Sequence, residues 1–225
     1  MASRPRPRRR TTPSTSDGVA GPPAGGPACI ALTGGIGSGK SAALAAFARC
    51  GAAVLSSDEA AHGLYADPQV VEAVAARFGP DVLDAAGAVD RAALGPRAFA
   101  EPDGLRFLEG LLHPRIGAGR ERWAAEQRRR HPPPPLLVCE VPLLFEVGAE
   151  GAFDAVLVVT AGEAVRRERV ELRGQRFDER RARQLPEGEK VARADAAFVN
   201  DGELAALEAW VAERFAEHAG RPCGG

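Results

Sequence analysis

The sequence predicts an α/β protein: a parallel sheet with helices on both faces. Two observations predict it. Short apolar runs of strand length alternate with stretches of helical periodicity. The first of these runs leads directly into a glycine-rich loop that opens a helix. In such sheets ligands bind outside the carboxyl ends of the strands, so each strand's last residue is a candidate for chemistry.

The first run is Cys29-Ile30-Ala31-Leu32-Thr33. Gly34–Ser41, GGIGSGKS, follows and fits G-x-x-x-x-G-K-[ST], the phosphate-binding loop of the P-loop NTPase fold. Its glycines let the backbone curl so that successive N–H groups converge on phosphate oxygens. The amides of Gly35, Ile36, Gly37, Ser38, Gly39, Lys40, Ser41 and Ala42 are the expected cradle. Ala42–Arg49 reads as the following helix, whose positive end faces the anion. Lys40 is placed to reach the β- and γ-phosphates of ATP, and the Ser41 hydroxyl to ligate Mg²⁺. The chain has only two lysines, Lys40 and Lys190, against 27 arginines, so a compact ammonium stands in this motif against the composition.

The remaining elements follow in order. Ala52–Ser56 is a second strand, ending at Ser57-Asp58-Glu59-Ala60-Ala61-His62, a strand-to-helix junction. Val70, Val71, Val74 and Phe78 mark a helix, and Ala92–Phe99 another, broken near Gly95-Pro96. Leu105, Leu108, Leu111 and Leu112 mark a helix that His113-Pro114 punctuates, because the residue before proline avoids the α region. Arg115–Arg130 is then a separate, arginine-laden helix, and His131–Pro135 a stiff polyproline spacer. Leu136–Val141 and Ala155–Val159 are buried strands. Glu163–Arg173 and Glu187–Ala194 are helical, and Ala197–Val199 is the last strand. Glu203–Phe215 closes the fold as an amphipathic helix with Leu204, Leu207, Val211 and Phe215 on one stripe.

The strand ends gather Thr33, Ser57-Asp58, Glu140-Val141-Pro142 and Thr160 on one rim. Asp58 has two readings: a base that accepts a proton from an acceptor hydroxyl, or a helix N-cap. Glu140 either positions Asp58 or a metal-bound water, or simply faces solvent. Arg169, Arg173 and Arg180 can fold over phosphates as a lid that excludes water, though many such arginines are plain surface. His62 follows Asp58 by one turn, and His113 packs or caps.

The totals set bounds. Apolar residues are 45% and charged residues 26% of 225, ordinary for a globular protein with one buried core. Net charge is −1, with an arginine-rich first 27 residues balanced by an acidic remainder, so no nucleic-acid surface is expected. No apolar run is long enough to span a bilayer. Residues 1–27 have the composition of a disordered tail, with an organelle transit peptide as the alternative. Residues 219–225 read as a flexible tail. Cys29, Cys50, Cys139 and Cys223 form no C-x-x-C pair; two of them sit in apolar strand-like runs, where buried free thiols are expected, and the set reads as a reducing, cytoplasmic compartment with no zinc.

Over Ala28–Phe215 the chain resembles the dephospho-CoA kinase family. The resemblance rests on TGGIGSGKS at Thr33–Ser41, SSDEAAH at Ser56–His62, FGPDVLDAAGAVDRAAL at Phe78–Leu94, LLHPRI at Leu111–Ile116, EVPLLFEVG at Glu140–Gly148 and RQLPEGEKVARADAAFVNDG at Arg183–Gly202. It implies transfer of the ATP γ-phosphoryl group to the ribose 3′-hydroxyl of dephospho-CoA, the last step of CoA synthesis; a monomer or weak oligomer is expected. It implies one domain over 28–218, in which a nucleotide-binding core carries a helical acceptor-binding lobe near 58–130 and a lid near 166–184. Asp58 falls on the family's base, Arg169 and Arg173 on its phosphate-binding helix, and His62, His113 and Glu140 in its acceptor site. The chain departs from the family pattern at Ser56, at His62, at Glu140 and in a shorter stretch between Arg173 and Arg180. Two rival readings are another P-loop small-molecule kinase and a catalytically silent nucleotide-binding scaffold. A GTPase reading lacks its N-K-x-D segment.

Overall fold

The computed structural model describes residues 26–175, 177–220 and 223, and at 58, 59, 61, 62, 179 and 180 the backbone alone. Among the described residues five strands form one parallel sheet, β1 (Cys29–Thr33), β2 (Ala53–Ser56), β3 (Leu137–Glu140), β4 (Ala155–Thr160) and β5 (Ala196–Val199), in the order β2-β3-β1-β4-β5. β1 and β4 are buried along their whole length, which is why they read as unbroken apolar runs rather than alternating ones. From β1 the chain runs to one side of the sheet and later returns to the other. The carboxyl end of β1 is therefore the switch point at which such sheets bind ligands.

The sheet has two apolar faces. On one, α1 (Lys40–Arg49) and α9 (Leu204–Ala219) cover Ile30, Leu32 and Leu157 with Phe47, Leu207, Val211 and Phe215, all without solvent exposure. Leu204 lies outside this stripe and is exposed, because the helix begins there, before its apolar face meets the sheet. On the other face Leu144, Phe145, Phe153 and Ala124 cover Ala31, Cys139 and Val158.

A helical lobe sits between β2 and β3. It contains α2 (Ser57–Leu64), α3 (Pro68–Phe78), α4 (Arg91–Ala100) and α5 (Gly104–Arg128) around Val70, Val74, Phe78, Leu94, Leu108 and Leu112. Asp67 and Asp90 start α3 and α4 by accepting N–H bonds from Gln69 (2.9 Å) and Ala92 (2.8 Å). Pro68 occupies the first turn of α3, where a missing N–H costs nothing.

Two expected breaks do not occur. Pro96 lies inside a continuous α4, on its exposed side, while Leu94 and Ala98 hold the opposite side in the core. Pro114 likewise lies inside α5, so the two helices expected around it are one. Burial of Leu108, Leu112 and Ala124 along that helix outweighs the lost backbone bond, and the Arg115 side chain donates to the Leu111 carbonyl (2.8 Å) beside the interruption. The polyproline spacer contains a cis bond at His131–Pro132.

The two strand cysteines are the buried thiols expected of them, but the reducing reading does not cover the other two. Cys29 and Cys139 are free and buried, but Cys50 and Cys223 form a disulfide. They are 173 residues apart, so no local spacing signals them. α9 packs against α1 and returns the carboxyl terminus to the end of α1, where Cys50 is the C-cap.

The chain after β4 forms α6 (Glu163–Glu171), α7 (Phe177–Arg181) and α8 (Glu187–Arg193). Phe177 is buried between the Arg166 and Arg167 guanidiniums, 5.5 and 4.6 Å from its ring centroid, which folds α7 back on α6. Arg167 also hydrogen-bonds both carboxylate oxygens of Asp178, which holds that carboxyl below its usual range.

Candidate functional site

The loop between β1 and α1 is held in a shape that only its own residue types allow. Gly34 has φ 148°, and a Cβ there would stand 1.9 Å from the Val159 carbonyl oxygen. Gly39 has φ 102°, and a Cβ there would stand 2.2 Å from Asn200 Nδ2. Both positions need glycine for conformation and for room. Asn200, buried just past β5, donates to the Ser38 carbonyl at 2.8 Å and so supports the loop from below.

Lys40 is the first residue of α1 and is buried, with Nζ donating to the Gly35 carbonyl at 2.9 Å. The ammonium therefore bridges the curl of the loop. Ser41 and Ala42 follow on the exposed side of the same turn. The hydroxyls of Ser38 and Thr33 are buried without a hydrogen-bond partner. The Lys40 ammonium and two unsatisfied hydroxyls are donors suited to a polyanion, while of the expected amide cradle the Ile36 and Ser38 N–H groups are already taken, by Gln184 and by the Gly35 carbonyl.

The loop is walled by residues from the far half of the chain. Gln184 Oε1 accepts the Ile36 N–H at 2.9 Å. Glu187 Oε1 and Arg166 Nη1 both flank Gly35, 2.4 and 2.8 Å from where its Cβ would be. Glu187 Oε2 accepts the Thr160 hydroxyl at 2.5 Å, which ties α8 to the end of β4. Arg166 is only 5% exposed and donates to the Ala161 carbonyl at 3.0 Å, so it is a wall of the site rather than solvated surface.

Sheet register sets the opposite side of the cleft. Glu140 ends β3 with Leu32 of β1 as one partner and Ser56 of β2 as the other. At about 4.8 Å per strand, Ser56 lies roughly 10 Å from β1, across Glu140. Glu140 is 7% exposed at the floor of that gap. α2 begins at Ser57, so Asp58 sits one residue inside the helix and Ser56 takes the position before it. The side chains of Asp58, His62 and Arg180 lie outside the described residues.

The other candidates are less central. Arg169 is half-buried and approaches the Gly37 carbonyl, Nη1 to O 3.5 Å. Arg173 is exposed beyond the end of α6. His113 is half-buried on α5, the helix that packs against α2.

Gln184, Asn200, Glu187 and Arg166 carry no residue-level signal in the sequence. Three of them lie in the RQLPEGEKVARADAAFVNDG segment, whose motif flagged the region without assigning them roles. Arg166 had no signal beyond its place among other arginines.

Similarity to known proteins agrees with this geometry. The family model described as dephospho-CoA kinase matches residues 28–206. A dephospho-CoA kinase of Anaeromyxobacter dehalogenans is 43% identical over 79% of this chain and 86% of its own. One from Methylococcus capsulatus is 41% identical over 81% of this chain and 92% of its own. Among solved structures, a Thermus thermophilus protein superposes with a TM-score of 0.71 at 36% identity, covering 86% of this chain and 98% of its own. A Campylobacter jejuni dephospho-CoA kinase shares the fold, with a TM-score of 0.58 at 21% identity over 84% of this chain and 96% of its own. With its phosphate loop, its walls and its floor set out on a parallel sheet, the chain belongs to the dephospho-CoA kinase family.

Proposed function

We propose that the chain transfers the γ-phosphoryl group of ATP to the ribose 3′-hydroxyl of dephospho-CoA, giving ADP and CoA. The observation that carries this reading is the β2-β3-β1 register. It sets the start of α2 roughly two strand spacings from the phosphate loop, with buried Glu140 between them. A hydroxyl and a γ-phosphate in line fit a gap of that width.

In this reading the loop amides and Lys40 hold the triphosphate and take up charge as it shifts toward the β–γ bridging oxygen. The acceptor oxygen attacks the γ-phosphorus, a new O–P bond forms, and the bond from phosphorus to the bridging oxygen breaks. Asp58 accepts the hydroxyl proton. Arg169 leans over the loop from α6, Arg173 follows it, and His62, His113 and Glu140 line the acceptor side. Mg²⁺, when bound, neutralises phosphate charge. Ser41, on the exposed side of the first turn of α1, is the side chain that would hold it.

A cytoplasmic location with the chain as monomer or weak oligomer goes with this reading. No helix among the described residues is long and apolar enough to cross a membrane. Residues 1–25 lie outside the description.

The test is a coupled ADP-release assay with dephospho-CoA, adenosine and AMP as acceptors. Dephospho-CoA is expected to exceed the others by orders of magnitude in kcat/KM. Equal or higher turnover with adenosine or AMP would assign a different acceptor, and no turnover with any would leave a nucleotide-binding scaffold.

A further inference from the structure

Three consecutive residues join three separate parts of the molecule. Arg183 Nη2 donates to Glu109 Oε1 of α5 at 2.7 Å. Gln184 Oε1 accepts the Ile36 N–H of the phosphate loop at 2.9 Å. The Leu185 N–H donates to Glu146 Oε1, just past β3, at 2.8 Å. Glu146 is itself fixed by Lys190, whose Nζ lies 3.0 Å away and whose side chain has no solvent exposure. The backbone at 184–185 is therefore anchored from below, while one side chain reaches the acceptor lobe and the next reaches the loop.

We infer that Gln184 is a positioning residue for the phosphate loop, fixing the Ile36 peptide so that the glycines beyond it stay curled for ATP. Ile36 stands between Gly34-Gly35 and Gly37, residues that impose little conformational preference. An N–H among them without a fixed acceptor leaves the loop many shapes, and only the curled one binds ATP, so affinity falls by the fraction that is curled. Gln184 supplies the acceptor from one side as Asn200 supplies a donor to Ser38 from the other. Glu146 and Lys190 act one step further away by holding the Leu185 backbone. The inference rests on the reading that this loop holds ATP, and not on which acceptor is phosphorylated.

The experiment uses the full chain with a non-hydrolysable ATP analogue, titrated calorimetrically, together with amide hydrogen exchange at Ile36. Gln184→Met keeps the side chain's length and removes its oxygen. It is expected to weaken the analogue about 5-fold, speed exchange at Ile36 and leave dephospho-CoA affinity unchanged. Gln184→Glu keeps an acceptor oxygen and is expected to restore slow exchange at Ile36. Wild-type analogue affinity and wild-type Ile36 exchange in Gln184→Met would overturn the inference. So would a parallel loss of both substrates with a lowered Tm, which marks a merely structural residue. Weakened analogue binding in a protein that phosphorylates some other acceptor would uphold the inference while removing the proposed function.

Discussion

The side-chain amide of Asn200 donates to the carbonyl of Ser38 across 162 residues, at 2.8 Å and in a buried position. It ties the end of the last strand to the loop after the first one, and Gly39 leaves the room it occupies. Asn200→Asp puts an acceptor against a carbonyl oxygen, so it is expected to weaken ATP about 10-fold or more, with little change in the KM for dephospho-CoA. Steady-state kinetics with each substrate varied in turn check this. Unchanged ATP parameters would show that Ser38 needs no support from below.

The loop itself was legible because everything it needs is local: a strand, glycines, Lys40, Ser41 and a helix stand in one unbroken stretch. Asn200 and Gln184 were not, because each gains its role from a partner more than a hundred residues away. Pro114 misled for a related reason. The local rule against helical residues before proline is sound, but burial along α5 outweighed it. Asp58 was placed at a strand-to-helix junction from sequence, and the backbone has it there, in the first turn of α2.

Lys190 and Glu146 form a pair in which the lysine is fully buried and the glutamate 14% exposed. Removing one partner strands a charge, so Lys190→Ala is expected to cost about 3–5 kcal/mol. Lys190→Met with Glu146→Gln removes both charges and keeps an acceptor for the Leu185 N–H, and it is expected to recover most of that loss. Chemical denaturation of the two variants measures the difference. Equal destabilisation would show that the stranded charge is not the cause.

The Cys50–Cys223 bond closes a loop that spans nearly the whole fold. A cross-link of that length constrains the unfolded chain by up to about 5 kcal/mol in the entropic account. Thermal melts with and without a dithiol reductant are expected to differ by roughly 10 °C, and Cys223→Ser is expected to melt like the reduced protein in either condition. Identical melts would show that the bond adds no stability.

His218, in the last turn of α9, has a pKa lowered by burial below the ordinary 6.5. The unfolded chain then binds a proton that the folded chain resists. The stability from neutral His218 is complete above about pH 6.5 and is lost as pH falls toward the folded value. His218→Gln is expected to flatten the loss of stability as pH falls below about 6.5. An unchanged profile would place the titration elsewhere.

The central claim is that the loop aims a triphosphate at a hydroxyl deprotonated beside α2, and Asp58→Asn tests it most directly. Single-turnover and steady-state rates with ATP and dephospho-CoA are expected to fall about 10²–10⁴-fold, while ATP affinity and Tm stay near the parent values. A variant that turns over at the parent rate, or one that loses only stability, would contradict the account.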